Sequence, residues 1–186
     1  MSKFRGFIAI DIEPTEMIER FLNELKKAKA RMKLVEPQNL HITLKFLGDT
    51  DENDVDTIED FMRDSVKGLK PFKITLKGTG VFPNPRRINV IWIGMEDDGS
   101  TERIFQKLDK HLEKLGYRRE SRKFSPHLTI ARVKSVQDRE NLVSIINSYA
   151  NEGFGDILVE SIRLKKSVLT REGPIYSTVR DVRLEG

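Results

Sequence analysis

The 186-residue chain contains no cysteine, which excludes a disulfide framework, a thiol nucleophile and a thiolate zinc site and suits a reducing compartment. Long apolar runs are lacking as well. The N-terminal run Phe7–Ile10 is stopped by Asp11, too short for a signal-peptide core or a membrane span. A soluble cytoplasmic protein with no membrane partner is the expectation. Charge of one sign is nearly balanced: 33 Lys plus Arg face 29 Asp plus Glu, a net +4 with a pI near 9.2. Interspersed charge at that level names no partner by itself, although a high charge content without cysteine is compatible with a heat-adapted source. Linkers are missing too, with no Pro/Gly/Ser-rich or low-complexity join. One continuous domain over residues 1–186 is expected, long enough to bury a core without staples.

Strand-like stretches rich in β-branched and aromatic residues fall at Lys3–Ile12, Leu40–Leu47, Phe72–Val81, Ile88–Met95, Phe124–Val133, Asp156–Lys166 and Ile175–Leu184. Helical stripes lie between them: Ile18, Phe21, Leu22 and Leu25 form one, and Ile104, Leu108, Leu112 and Leu115 another. Two further helices are predicted over Glu52–Lys67, with Asp51 as N-cap, and over Asp138–Ala150, with Gly153 beyond its end. Slid against itself, the chain matches at one offset of 86 residues: Glu16 falls on Glu102, Ile18 on Ile104, Leu22 on Leu108 and His41 on His127. The predicted fold class is α+β, a bilobal, pseudo-two-fold duplicated unit. Each lobe is expected to be a small, mostly antiparallel sheet with two helices on its outer face, around a central cleft.

Two of the three histidines sit at matching points of this repeat. Asn39-Leu40-His41-Ile42-Thr43-Leu44 and Ser125-Pro126-His127-Leu128-Thr129-Ile130 are both His-x-Thr with apolar residues at the alternate positions. On a strand, packing of Ile42 and Leu44, or of Leu128 and Ile130, fixes the polar pair on the opposite face. Two imidazoles across a cleft supply one general acid and one general base near neutrality. The threonine hydroxyls can donate to anionic oxygens held between them. In-line displacement at a strained cyclic phosphate needs no more than this, so no cofactor or metal is expected; no Asp, Glu or further His stands at ligand spacing. His111 has no Thr partner and flanks an apolar stripe, which reads as structural.

Three segments, Arg5 to Ile10, Asn39 to Asp49 and Phe124 to Arg132, resemble the two-histidine phosphoesterase superfamily. Within it they resemble the RNA 2',3'-cyclic phosphodiesterases, also called 2'-5' RNA ligases or LigT-like proteins. The resemblance covers nearly the whole chain. It implies a bilobal fold and metal- and ATP-independent hydrolysis of a 2',3'-cyclic phosphate at an RNA 3' end to a 2'-phosphate. His41 would protonate the departing 3' oxygen, His127 would activate water, and Thr43 and Thr129 would hold the non-bridging oxygens. An Arg that often follows the second motif is matched by Arg132. Strict alternation from His127 turns Arg132 to the wrong face, so it reaches the cleft only if the strand ends or bulges near Ala131. The matching position of the first copy is Phe46.

Between Tyr117 and Lys134 stand Arg118, Arg119, Arg122, Lys123, Arg132 and Lys134 against Glu120, a local balance of +5 in a chain of +4. Such a strip beside the second histidine suits RNA phosphates, with Arg122 among the substrate contacts and Phe124 or Tyr176 stacking on a terminal base. Arg86 and Arg87 mark a second basic spot at a predicted hairpin tip. The expected partner is an RNA end bearing 2',3'-cyclic phosphate, with no obligate protein partner and a monomer by default. Three alternatives stay open: 2'-5' joining of RNA ends by the same site, turnover of nucleotide-sized cyclic phosphates, and a non-catalytic RNA-end binding module.

Overall fold

A computed structural model describes residues 2–186. In chain order its elements are β1 (Lys3–Asp11), α1 (Glu16–Leu25), β2 (Ala30–Leu34), β3 (His41–Asp51), α2 (Val55–Val66), β4 (Phe72–Asn84), β5 (Arg87–Glu96), α3 (Ser100–Leu112), β6 (His127–Val136), α4 (Arg139–Ser148), β7 (Gly153–Val159), β8 (Ser161–Thr170) and β9 (Gly173–Arg183). Polar caps start the helices: the Thr15 hydroxyl accepts from the Ile18 N–H at α1, and the Asp138 carboxylate accepts from the Asn141 N–H at α4. Asp51 caps a 3₁₀ turn over Glu52–Asp54, so α2 begins three residues beyond the predicted start. The stripe Ile18, Phe21, Leu22 and Leu25 is buried as expected. Among the described residues no helix is long and apolar enough to cross a membrane.

All strands pair antiparallel in the order β7-β4-β5-β6-β3-β1-β8-β9, with β2 lying beside β6. The inner six strands of this order form a palindrome under the 86-residue offset, which carries β1 onto β5, β3 onto β6 and β4 onto β8; the outermost β7 and β9 are not related by it. Even the register repeats. Arg5↔Ser167, Gly6↔Lys166 and Phe7↔Lys165 recur as Ile91↔Val81, Trp92↔Gly80 and Ile93↔Thr79. At the centre, β3 and β6 meet at one pair, Ile42↔Leu128, whose members are themselves 86 apart. The pseudo-two-fold axis therefore runs through this contact.

The lobes are not the two copies of the repeat. One half-sheet, β3-β1-β8-β9, carries α2 and α3; the other, β7-β4-β5-β6, carries α1 and α4. Each lobe thus draws elements from both copies. Helix α1 is fastened to the far half by the Thr15 hydroxyl, which donates to the Phe154 carbonyl on β7 at 2.5 Å. The expected strand Asp156–Lys166 is likewise two strands. It breaks at Glu160, β7 pairing with β4 and β8 with β1, so the chain crosses between half-sheets there. The buried alternation slips by one residue between Val159 and Ile162, which is the physical trace of the crossing.

Candidate active site

His41 and His127 each open a central strand, one residue before the axial Ile42↔Leu128 pair. Continuing that antiparallel register by one residue sets His41 beside Thr129 and Thr43 beside His127, all on the face opposite the buried Ile42 and Leu128. The two imidazoles are then diagonal neighbours, a relation of roughly 7–8 Å between Cα atoms in a flat ladder. A cleft of about 490 Å³ opens over this square of side chains, and His41, Thr43, His127 and Thr129 all line it.

Both rings are fixed in the same way. His41 Nδ1 lies 2.8 Å from the Asn39 carbonyl oxygen, and His127 Nδ1 lies 2.8 Å from that of Ser125. A carbonyl oxygen can only accept, so Nδ1 carries the hydrogen in each ring and Nε2 is left to exchange a proton. Aromatic rings hold the imidazoles from the side. Phe7 and Tyr176 flank His41 at centroid distances of 5.0 and 5.4 Å, and Phe82 and Trp92 flank His127 at 5.0 and 6.1 Å. Gly80 makes room for Trp92: a Cβ there would stand 2.1 Å from the indole.

Burial lowers the His41 pKa below its ordinary value. The Asn39 carbonyl and the Asp11 charge oppose that shift, while Lys165 and Arg132 add to it. Asp11, the cross-strand neighbour of His41, is itself held by Arg163 at 2.8 Å and Lys165 at 2.9 Å. Burial also raises the Tyr176 phenol, so it remains a protonated donor at the cleft wall.

A bulge recurs in both central strands. The β1–β3 ladder steps from Ala9↔Thr43 to Ile8↔Lys45 and omits Leu44; the β5–β6 ladder steps from Trp92↔Thr129 to Ile91↔Ala131 and omits Ile130. These omitted residues are 86 apart. The extra residue re-phases the strand, so Leu44 and Lys45 are both buried, as are Ile130 and Ala131. Phe46 and Arg132 then turn into the cleft. Here the copies differ in chemistry, because Arg132 presents a guanidinium where Phe46, 55% exposed, presents a ring with Arg5 over it at 5.2 Å.

Not every expected residue arrives. Tyr176 lines the cleft. Phe124 does not: it stacks flat on Phe105, 4.3 Å between centroids and 3° between planes, packed against the core. Arg122 is solvent-exposed in the preceding loop and outside the cleft lining. Both corrections follow from the way that loop is tied down. Buried Asp109 on α3 accepts from Lys45 Nζ at 2.6 Å, from Arg119 Nε at 3.0 Å and from the Glu120 N–H at 3.0 Å, and Lys45 also donates to the Arg118 carbonyl at 2.8 Å. That clamp holds the basic loop against β3 and directs Arg119 inward. His111 is structural, hydrogen-bonded to Asp64 at 2.5 Å and stacked on Phe61. Arg5, Phe7 and Phe46 line the cleft without having been singled out beforehand, since the bulge that aims Phe46 is invisible to simple alternation.

Known proteins share the sequence pattern and the fold. Residues 8–92 and 93–176 each match the family described as LigT like Phosphoesterase. A protein of Methanothermobacter thermautotrophicus named RNA 2',3'-cyclic phosphodiesterase is 41% identical, the alignment covering 98% of this chain and all of the relative. A protein of the same name from Archaeoglobus fulgidus is 40% identical over 95% of this chain and 98% of its own. A crystal structure from Thermus thermophilus superposes with a TM-score of 0.79 at 28% identity, covering 98% of both chains. With two tandem matches spanning most of its length, each carrying one His-x-Thr strand, the chain belongs to the LigT-like phosphoesterase family.

Proposed function

We propose that the protein hydrolyses the 2',3'-cyclic phosphate at RNA 3' ends, with His41 as proton donor and His127 as proton acceptor. One observation carries the reading: two imidazoles, each with Nδ1 pinned to a carbonyl two residues back, line one cleft together with Thr43 and Thr129. The names of the full-length relatives support the substrate class. In this mechanism His127 Nε2 takes a proton from water as the water oxygen bonds to phosphorus. The P–O3' bond breaks on the opposite side, and His41 Nε2 delivers a proton to O3'. A 2'-phosphate and a 3'-hydroxyl result, and the two rings, having exchanged protonation states, re-equilibrate with solvent. Burial makes protonated His41 a stronger acid, and the phosphate charge in the cleft favours its protonated form before transfer. Thr43, Thr129 and Arg132 stabilise the charge that builds on the non-bridging oxygens.

The test is direct. Purified protein in the presence of a chelator is expected to open an oligonucleotide with a cyclic-phosphate end to the 2'-phosphate alone, with a bell-shaped pH profile. Full activity in the His41→Ala plus His127→Ala double variant overturns the mechanism.

A further inference from the structure

Strand β2 has no counterpart in the second copy. The offset aligns Ala30–Leu34 with residues 116–120, which form no strand and belong to the loop clamped by Asp109. β2 instead lies along β6 with Lys33 opposite Arg132 and Leu34 opposite Ala131. Side chains directly opposite in a ladder share a face, so Lys33 points to the side on which Arg132 lines the cleft. Arg31 and Val35, two residues either way, point there too, and Val35 is part of the cleft lining.

The cleft does not end at the histidines. Val35, Arg132, Pro174 and Tyr176 are shared with an adjoining cavity of about 240 Å³, which adds Lys33, Leu34 and Lys134. Beyond it a shallow depression runs on over Arg31, Met32 and Lys134. The opposite wall is the β8–β9 turn, fixed to β2 and to the first histidine loop: Lys33 Nζ donates to the Glu172 carbonyl, and Asn39 Nδ2 donates to the Pro174 carbonyl at 3.2 Å. Gly173 suits this contact, since a Cβ there would lie 2.7 Å from Lys33 Nζ. Among the described residues Arg31, Lys33, Arg132 and Lys134 enter no salt bridge, and the acids on this groove's lining are Glu36 and Glu172.

We infer that this groove holds the nucleotides on the 5' side of the reacting end, their phosphates on Lys33, Lys134 and Arg31 and the penultimate base against the apolar surface of Val35, Pro174 and Tyr176. The inference rests on the cyclic-phosphodiesterase reading and specifies its substrate as single-stranded RNA rather than a mononucleotide. Alternate residues of a strand recur every ~6.6 Å, comparable to the spacing of phosphates along an extended single strand. Cations over an apolar floor are how single strands are held without sequence preference. The basic loop carrying Arg122 and Lys123, for all its charge, lies outside this path.

The experiment compares kcat/KM for a nucleoside 2',3'-cyclic phosphate and for a tetranucleotide with the same end. Wild-type protein is expected to favour the tetranucleotide at least ~10-fold, through KM, with KM rising steeply with salt. Lys33→Ala plus Lys134→Ala is expected to remove most of that preference and to flatten the slope of log KM against log salt by about 0.7 per lost phosphate contact. Arg122→Ala plus Lys123→Ala is expected to keep both. Absence of a length preference in wild type, or its survival in the Lys33/Lys134 variant, overturns the groove. If wild type turns over neither substrate, the cyclic-phosphodiesterase reading fails separately. Fluorescence anisotropy with a 3'-phosphorylated tetranucleotide then decides the groove on binding alone, and equal affinity in wild type and the Lys33/Lys134 variant overturns it.

Discussion

The His41 half and the His127 half begin alike and end differently. Each places a histidine at the head of a central strand, fixes its ring to the carbonyl two residues back, and bulges three residues later. Beyond the bulge the first copy offers Phe46 and the second Arg132. Along the strand, the second is bordered by β2 and the first by a loop clamped through Lys45 and Asp109. Symmetry supplies two matched imidazoles, which the proposed acid–base reaction needs. In the proposed reaction asymmetry supplies direction, because only the second copy places a guanidinium at its bulge and borders the basic groove, so an RNA end would meet two unlike walls.

Replacing either histidine breaks the comparison most severely. His41→Ala and His127→Ala are each expected to lower kcat about 10²- to 10⁴-fold on a cyclic-phosphate-ended oligomer, and a variant that keeps the wild-type rate would show that the two halves do not share the chemistry. The clamp comes next. Asp109→Ala leaves Lys45 buried without its partner and is expected to cost about 3–5 kcal/mol in urea unfolding, whereas at the repeat-related, exposed Asn23 the same change is expected to stay within about 0.5 kcal/mol. Burial alone would raise the Asp109 carboxyl, but Lys45, the Glu120 N–H and Arg119 hold it below the usual range. The stability it contributes is therefore present above the unfolded value near ~3.9 and is lost as pH falls through the lowered one.

A smaller effect separates the bulge positions: Arg132→Ala is expected to reduce kcat about 10²-fold and Phe46→Ala less than ~10-fold. Equal losses would make the guanidinium no more than a wall. The smallest is a titration. The His41 imidazole followed by NMR should have its midpoint below ~6.5, and inorganic phosphate should raise it. As pH drops from ~6.5 toward that midpoint the unfolded chain takes up the proton first, so His41 makes the protein less stable across that window. A midpoint above ~6.5 in the free protein would show that burial does not dominate there.

Local patterns in the chain account for much of this structure. Ile42 and Leu44 against His41 and Thr43, and the same alternation around His127, foretell two strands with a common polar face, and one offset relates them. His41, Thr43, His127, Thr129, Arg132 and Tyr176 do line one cleft. What escaped depends on long-range partners or local irregularity. The bulges at Leu44 and Ile130 are set by pairing with β1 and β5, not by their own sequence. β2 is five residues long and close behind a helix, so its alternation of Ala30, Met32 and Leu34 with Arg31 and Lys33 is too brief to stand out. Phe124 sits within a motif that points to the site, yet Phe105 captures it while Asp109 draws the loop inward. The exchange of helices between halves leaves no mark at all on a local window.

That exchange makes the halves of the chain inseparable. A cut at the β4–β5 turn would give two fragments, each with a histidine and neither with a finished lobe, because α1, β2 and β4 of the first lie on the half-sheet built around β6 of the second. Expressed together, the fragments should reassemble and regain the cleft; expressed singly, neither should fold. In geometric terms the molecule has the arrangement of a segment-swapped homodimer written into one chain, and a single chain, unlike two identical subunits, can carry Phe46 at one bulge and Arg132 at the other.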